Sequence, residues 1–190
     1  MSEGKLVIIS APSGSGKTTI IQHLMEKHFN LHFSVSATNR PAREHETDGK
    51  DYLFIATETF HSKINKDEFL EWEEVYEGRF YGSLIAHVNQ MLSEGKNVIF
   101  DVDVVGGLNI KKYYQEQALS IFVKLPSLET LEMRLRQRGT DNETDIMNRL
   151  EKAAWEMNFA KKFDAILIND SLQKCHKDAE KLVSDFLHKH

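Results

Sequence analysis

Cysteine occurs once in the 190 residues, as Cys175, which excludes an internal disulfide framework and a cysteine zinc cluster. No repeat, low-complexity stretch or Pro/Gly linker divides the chain. The longest unbroken apolar run is five residues, Tyr52 to Ala56, where a membrane span needs about 18. Positive charge is not in excess. Lys plus Arg is 24 against 29 Asp plus Glu, a formal charge of −5, which argues against general nucleic-acid binding. The first residues lack the basic and apolar regions of a secretory signal, and the nine histidines are scattered without metal spacing. The expectation is a soluble cytoplasmic protein, with neither nucleic acid nor membrane as a partner. The content, 41% hydrophobic and 28% charged, suits one compact unit with a proper core.

Leu6-Val7-Ile8-Ile9 is all apolar, as expected of a strand buried on both faces of a parallel sheet. A glycine-bearing turn follows, and residues 18–29 then place Ile20, Ile21, Leu24 and Met25 at helical spacing. Further buried-strand candidates are 98–100, 119–123 and 165–168. Short apolar strands separated by helices predict an α/β fold with a parallel sheet. Residues 33–88 read differently. Apolar and polar residues alternate over 31–36, and more loosely over 52–55, predicting strands with one open face. Residues 71–81 mix acids with aromatics. This stretch reads as an inserted β-rich lobe, with one short helix over 59–68 turning Phe60, Ile64 and Phe69 inward. Helical pattern resumes after Pro126, with Ser127 as N-cap and Leu128, Leu131 and Leu135 on one stripe. Residues 139–142 break it, and another helix begins near Thr144. The C-terminal segment aligns Leu172, Cys175, Ala179, Leu182, Val183 and Phe186, so Cys175 is expected to be a buried packing thiol.

The strongest local signal is Ala11-Pro12-Ser13-Gly14-Ser15-Gly16-Lys17-Thr18, between the first strand and its helix. It matches G-x-x-x-x-G-K-[ST] with Ala11 in place of the first glycine. Gly14 and Gly16 let the backbone curl so that successive N–H groups face one anion at the positive end of a helix. Lys17 would reach the β- and γ-phosphates of a nucleotide, and Thr18 would offer a hydroxyl to Mg²⁺. Ala11 is harmless unless its position needs a positive φ. An acid at the end of a neighbouring strand completes such a site, and Asp101 follows the run 98–100. It would orient the metal's water shell or contact the second substrate.

The arginines say what is done with the nucleotide. Arg40 and Arg43 flank Pro41, which keeps them in a loop. Arg134 and Arg138 lie four apart on one helix face, and Arg149 follows a polar turn. Two such clusters suit a machine that clamps two phosphorylated molecules, since planar guanidiniums grip phosphate bidentately.

At these residues the chain resembles the guanylate kinases. The resemblance runs in order through residues 13–19, 34–43 and 48–52, then 69–72, 80–83 and 101–103, and ends at Arg138-Gly139-Thr140 and Ile168-Asn169-Asp170. It implies a parallel-sheet P-loop NTPase core over 1–33, 92–126 and 156–190, an inserted β-rich GMP-binding lobe over 34–91, and a helical lid over 127–155. By the same resemblance Ser36, Glu71 and Ser83 line a guanine pocket. A carboxylate only accepts, so Glu71 takes the N1 and N2 donors while Ser36 or Ser83 donates to O6. Adenine would leave Glu71 buried and unpaired. Arg40, Arg43, Tyr52 and Tyr81 would bind the GMP phosphate, with Asp101 and Asp103 beside the acceptor. Residues 11–19 (Ala11 through Thr19) would bind ATP, with Asn169 against its adenine. Lys17, Arg40 and the lid arginines Arg134, Arg138 and Arg149 would carry the chemistry.

The implied reaction is MgATP plus GMP, and by extension dGMP, giving ADP plus the diphosphate. The lid and the lobe are expected to swing inward when both nucleotides bind. ATP and GMP are the expected partners, and the chain a monomer or homodimer. Departures from the family are Ala11, Val105 for a common glutamine, Ser83-Leu84 for a frequent Thr-Pro, and one extra residue within 75–79. A guanylate-kinase-like interaction module would have lost the ATP-site residues, which stand here. A kinase for another phosphorylated acceptor is opposed by the Ser36/Glu71/Ser83 set.

Overall fold

The computed structural model describes residues 3–139 and 142–189, the side chain of Arg138 excepted. Strand β1 (Leu6–Ser10) is buried throughout, as its unbroken apolar sequence requires. Helix α1 (Lys17–Met25) leaves the glycine turn and buries Ile20, Ile21 and Leu24. Then follow β2 (Leu31–Phe33), β3 (Ala37–Thr38), β4 (Leu53–Phe54), α2 (Thr57–Asn65), β5 (Phe69–Tyr76), β6 (Arg79–Leu84) and α3 (Ile85–Ser93). The chain continues through β7 (Asn97–Asp101), α4 (Val104–Tyr114), β8 (Ala118–Lys124), α5 (Leu128–Arg138), α6 (Glu143–Met157), β9 (Ala165–Ile168) and α7 (Leu172–Leu187).

The chain divides into two compact units, one of residues up to Lys5 with His32–Val98, the other of Leu6–Leu31 and everything from Ile99. Five strands form a sheet in the order β2-β7-β1-β8-β9, in which β1 with β8 and β8 with β9 run parallel. The larger unit's main core joins Val7 and Ile9 of β1, Ile20 and Leu24 of α1, Ile121 and Val123 of β8, and Cys175, Ala179 and Val183 of α7. Leu131, Leu135, Ile146 and Ala153 form a separate cluster that pairs α5 with α6. The smaller unit has a mixed four-stranded sheet, β4-β3-β6-β5, over a core of Ala37, Phe60 and Phe80. Phe60 stacks on Phe69 at 4.5 Å.

Several expectations are corrected. Helix α1 stops at Met25, which is exposed; residues 26–29 form a turn and a positive-φ Asn30 then leads into β2. The alternation over 31–36 yields strand only at 31–33. The short helix runs over Thr57–Asn65, because Asp67 adopts φ 53° and sends the chain into β5. Ile166 and Ile168 are exposed, since β9 ends the sheet and only one face of it is packed. Leu172, the first residue of α7, is likewise exposed. Helix α3 went unread, although Val88, Met91 and Leu92 are buried on one face of it. Between β5 and β6 the register shifts at Glu74/Tyr76, so the irregularity sits within the segment suspected of an extra residue.

Candidate nucleotide sites

The turn from β1 to α1 is built by two left-handed glycines, Gly14 at φ 93° and Gly16 at φ 88°. Ser15 N–H donates to the Pro12 carbonyl at 3.0 Å, closing the loop. Ala11 is buried and not left-handed, so its methyl costs the loop nothing. Gly16 has a steric reason as well. A Cβ there would overlap Asn169 Nδ2, which donates to the Ser15 carbonyl at 2.8 Å. No side chain caps the N-terminus of α1, so its first amides remain available to an anion.

Around this turn lies a cavity of about 360 Å³, lined by residues 11–14, Gly16, Lys17, Thr18, Thr19, Asp103, Arg149, Lys152 and Glu156. Lys17 Nζ pairs with Asp101 Oδ1 at 2.5 Å and donates to the Val102 carbonyl at 3.4 Å. Asp103 caps α4 by accepting from Gly106 N–H at 2.7 Å. Arg149 Nη1 reaches Ser13 Oγ at 2.7 Å. The cavity thus gathers cationic groups around main-chain donors, as a polyphosphate demands. A second cavity, about 410 Å³, is lined by Gly14, Gly16, Thr19, Arg134, Gln137, Asn169 and Leu172. Arg134 Nη2 donates to the Asn169 carbonyl at 3.3 Å. Asn169 therefore ties an arginine of α5 to the phosphate loop, a structural role beside the expected contact with a base. The Arg138 side chain, Thr140 and Asp141 lie outside the described residues.

The smaller unit assembles the other predicted set. Ser83, fully buried, donates its hydroxyl to Glu71 Oε1 at 2.7 Å across the β5–β6 pair. Gly82 permits this close approach, for a Cβ there would fall 2.7 Å from the Glu71 carbonyl. Ser36 is half-buried, and its carbonyl holds Leu53 N–H. Arg40 donates to Tyr81 Oη at 3.0 Å, and its guanidinium lies 4.8 Å from the Tyr52 ring centroid. The Tyr52 and Tyr81 rings meet edge-on at 5.8 Å. Arg43 is exposed in the same loop.

Sequence reasoning missed four groups. Glu46 grips Arg40 bidentately at 2.6 and 2.7 Å, a pairing that loop sequence does not announce. Lys152 and Glu156 line the phosphate cavity, and their offsets of three and seven from Arg149 put them on one helical face, a signal that was available. Gln137 is the fourth.

A buried strand, a left-handed glycine turn, a Lys-Thr pair and a helix, wrapped around an anion-sized cavity, define a nucleotide-binding protein of the P-loop α/β class. Within that class, the sequence model described as Guanylate kinase matches residues 3–186. The chain belongs to the guanylate kinase family. It is 52% identical to a guanylate kinase of Bacteroides thetaiotaomicron over 98% of this chain and 91% of that protein. A guanylate kinase of Porphyromonas gingivalis is 48% identical, covering 97% and 99%. The crystal structure of guanylate kinase from Anaplasma phagocytophilum superposes with a TM-score of 0.72 at 28% identity, over 99% of this chain and 88% of that one. A gluconokinase from Sinorhizobium meliloti shares the fold at a TM-score of 0.55 and 12% identity.

Proposed function

We propose that this chain transfers the γ-phosphoryl group of ATP to GMP, releasing ADP and GDP, with dGMP as an alternative acceptor. The observation that carries the reading is the phosphate cavity, where Lys17, Thr18 and Arg149 line the space around the Gly14–Gly16 turn. Family membership names the acceptor, and the Glu71–Ser83 pair supports it. Glu71 accepts from the N1 and N2 donors of guanine, and a serine hydroxyl donates to O6.

Transfer is direct and in line, and no side chain is modified. The acceptor phosphate oxygen is already anionic, so no general base is required. Lys17 and Arg149 stabilise charge on the transferring group, joined by Arg134 and Arg138 from the segment 127–155 acting as a lid. The residues 34–91 hold the acceptor and the remainder forms the ATP-binding core. Arg40, Arg43, Tyr52 and Tyr81 orient the GMP phosphate. Asn169 supports the phosphate loop beside the adenine. Mg²⁺ fits the donors present: Thr18 and Asp103, hard oxygen ligands, line the phosphate cavity, and Asp101 stands against Lys17. Among the described residues no group of three or more His, Cys, Asp or Glu could hold a metal ion, and an ion of this kind would be carried largely by the phosphates. When bound it would neutralise charge on the ATP phosphates, with Thr18 offering it a hydroxyl and Asp101 orienting its water shell. The net charge of −5 opposes nucleic acid as a partner, no described helix is long and apolar enough to cross a membrane, and a cytoplasmic location follows from the substrates. A coupled assay of ADP release with GMP, dGMP, AMP, CMP and UMP tests the reading. Turnover is expected with GMP and dGMP alone, and equal turnover with AMP would reject it.

A further inference from the structure

Arg40 is the most heavily engaged cation of the smaller unit. Its Nη1 and Nη2 donate to Glu46 Oε2 and Oε1 at 2.6 and 2.7 Å, its Nη1 also to the Pro41 carbonyl at 3.0 Å, and its Nε to Tyr81 Oη at 3.0 Å. A guanidinium has five N–H donors, so four are used. Both side chains of the pair are buried, 7% and 8% exposed. Glu46 holds more than Arg40. Its Oε2 accepts from Arg43 N–H at 2.8 Å while its own N–H donates to the Arg43 carbonyl at 3.0 Å, closing the 43–46 turn from both ends. With Arg40 beside it, the Glu46 carboxyl is held down at about 2 and stays ionised throughout the neutral range.

Such an arginine keeps one N–H for a phosphate and has its other donors committed. It also orients Tyr81: a phenol oxygen that accepts from Nε keeps its own proton for another partner. The charge count follows. Glu46 offsets Arg40, and Arg43 remains the cation of the loop.

We infer that Glu46 is a positioning residue of the acceptor-phosphate site, gripping Arg40 so that Nε turns onto Tyr81 and the Tyr81 hydroxyl proton is presented to the phosphate. This rests on the acceptor-site reading above. Glu46 itself touches no substrate, and its influence travels through Arg40 to one hydroxyl.

The test is a double-mutant cycle of Glu46→Gln and Tyr81→Phe, with KM for GMP, KM for ATP, kcat and the melting temperature measured for each. Glu46→Gln is expected to raise KM for GMP about tenfold, with kcat within about threefold and KM for ATP unchanged, the loss associated with one charge-assisted hydrogen bond. In the Tyr81→Phe background the same change should add less than about threefold, because the coupled hydroxyl is gone. An equal tenfold rise in both backgrounds would mean a merely structural role and overturn the inference. So would a lower KM, which would mean that Glu46 competes with the phosphate for Arg40. If Tyr81→Phe alone leaves KM for GMP untouched, the acceptor-site reading itself fails. Should Glu46→Gln not fold, Glu46→Asp takes its place in the cycle, and the same loss of effect on Tyr81→Phe is required.

Discussion

Lys17 Nζ sits 2.5 Å from Asp101 Oδ1, so the lysine of the phosphate loop is held at the end of β7 by a carboxylate before any anion arrives. Both side chains keep partial exposure, 21% and 26%, and the pair can open when a phosphate competes for the ammonium. Lys17→Ala is therefore expected to lower kcat by about 10³-fold, the scale of removing one preorganised charge from a transferring phosphoryl group. GMP affinity, measured by calorimetry, should stay within a factor of a few. Near-normal turnover would refute the assignment of the loop.

Glu71 and Ser83 share a 2.7 Å hydrogen bond with the hydroxyl donating. Glu71→Gln replaces an acceptor by a group that also turns donors toward the base. The expected result is a fall of about 10²-fold in kcat/KM for GMP, with KM for ATP unchanged. Steady-state kinetics on both substrates decide it, and an unaltered preference for GMP over AMP would reject the pocket.

Gly16→Ala combines two penalties, a left-handed φ of 88° and overlap of the new methyl with Asn169 Nδ2. The conformational part alone costs about 1–2 kcal/mol. The variant should melt several degrees lower and bind ATP weakly. Adding Asn169→Ala removes the overlap but not the backbone penalty, so the double variant should recover only in part. Full recovery in thermal melts would show that sterics alone demand the glycine.

His176 stacks on His23 with ring centroids 3.8 Å apart, between α7 and α1. Burial, then the neighbouring His23, holds the His176 pKa below its ordinary value, while Glu180 opposes and Lys27 assists. The Nε2 atom is buried without a hydrogen-bond partner. A histidine whose folded pKa is depressed binds its proton more readily when unfolded. Its contribution is complete above the unfolded value of about 6.5 and is lost as pH falls from there toward the folded value. The melting temperature should drop as pH falls below about 6.5, and His176→Gln should make that drop smaller. An identical pH slope in the variant would exclude His176 as its source.

The phosphate loop was legible because its determinants are local. Glycines that supply positive φ, a lysine and threonine opening a helix, and an apolar strand before them all lie within residues 6–18. The cap Ser127 was readable for the same reason, and its hydroxyl accepts from Thr130 N–H, whereas Asn142, read only as part of a break, caps α6 by accepting from Asp145 N–H. Strand β3, two residues long, was not readable. Its extended conformation is imposed by pairing with β6 and β4, and a two-residue segment carries no period. Ile166 and Ile168 misled for a related reason: an edge strand and a central one can share a composition, and only the sheet order distinguishes them.

Taken alone, the order of amino acids determined where the backbone curls, most of the longer helices and the central buried strands, and which charged and hydroxylic residues were available for phosphate. Those outcomes follow from torsional preference and hydrophobic period, which act over a few residues. The tertiary structure decided the partnerships. Asn169 meets the Ser15 carbonyl across 154 positions of chain, Lys17 meets Asp101, and Arg40 is given to Glu46 rather than left open. A salt bridge or a buried amide needs two groups brought together in a desolvated place, and only the folded chain brings them there.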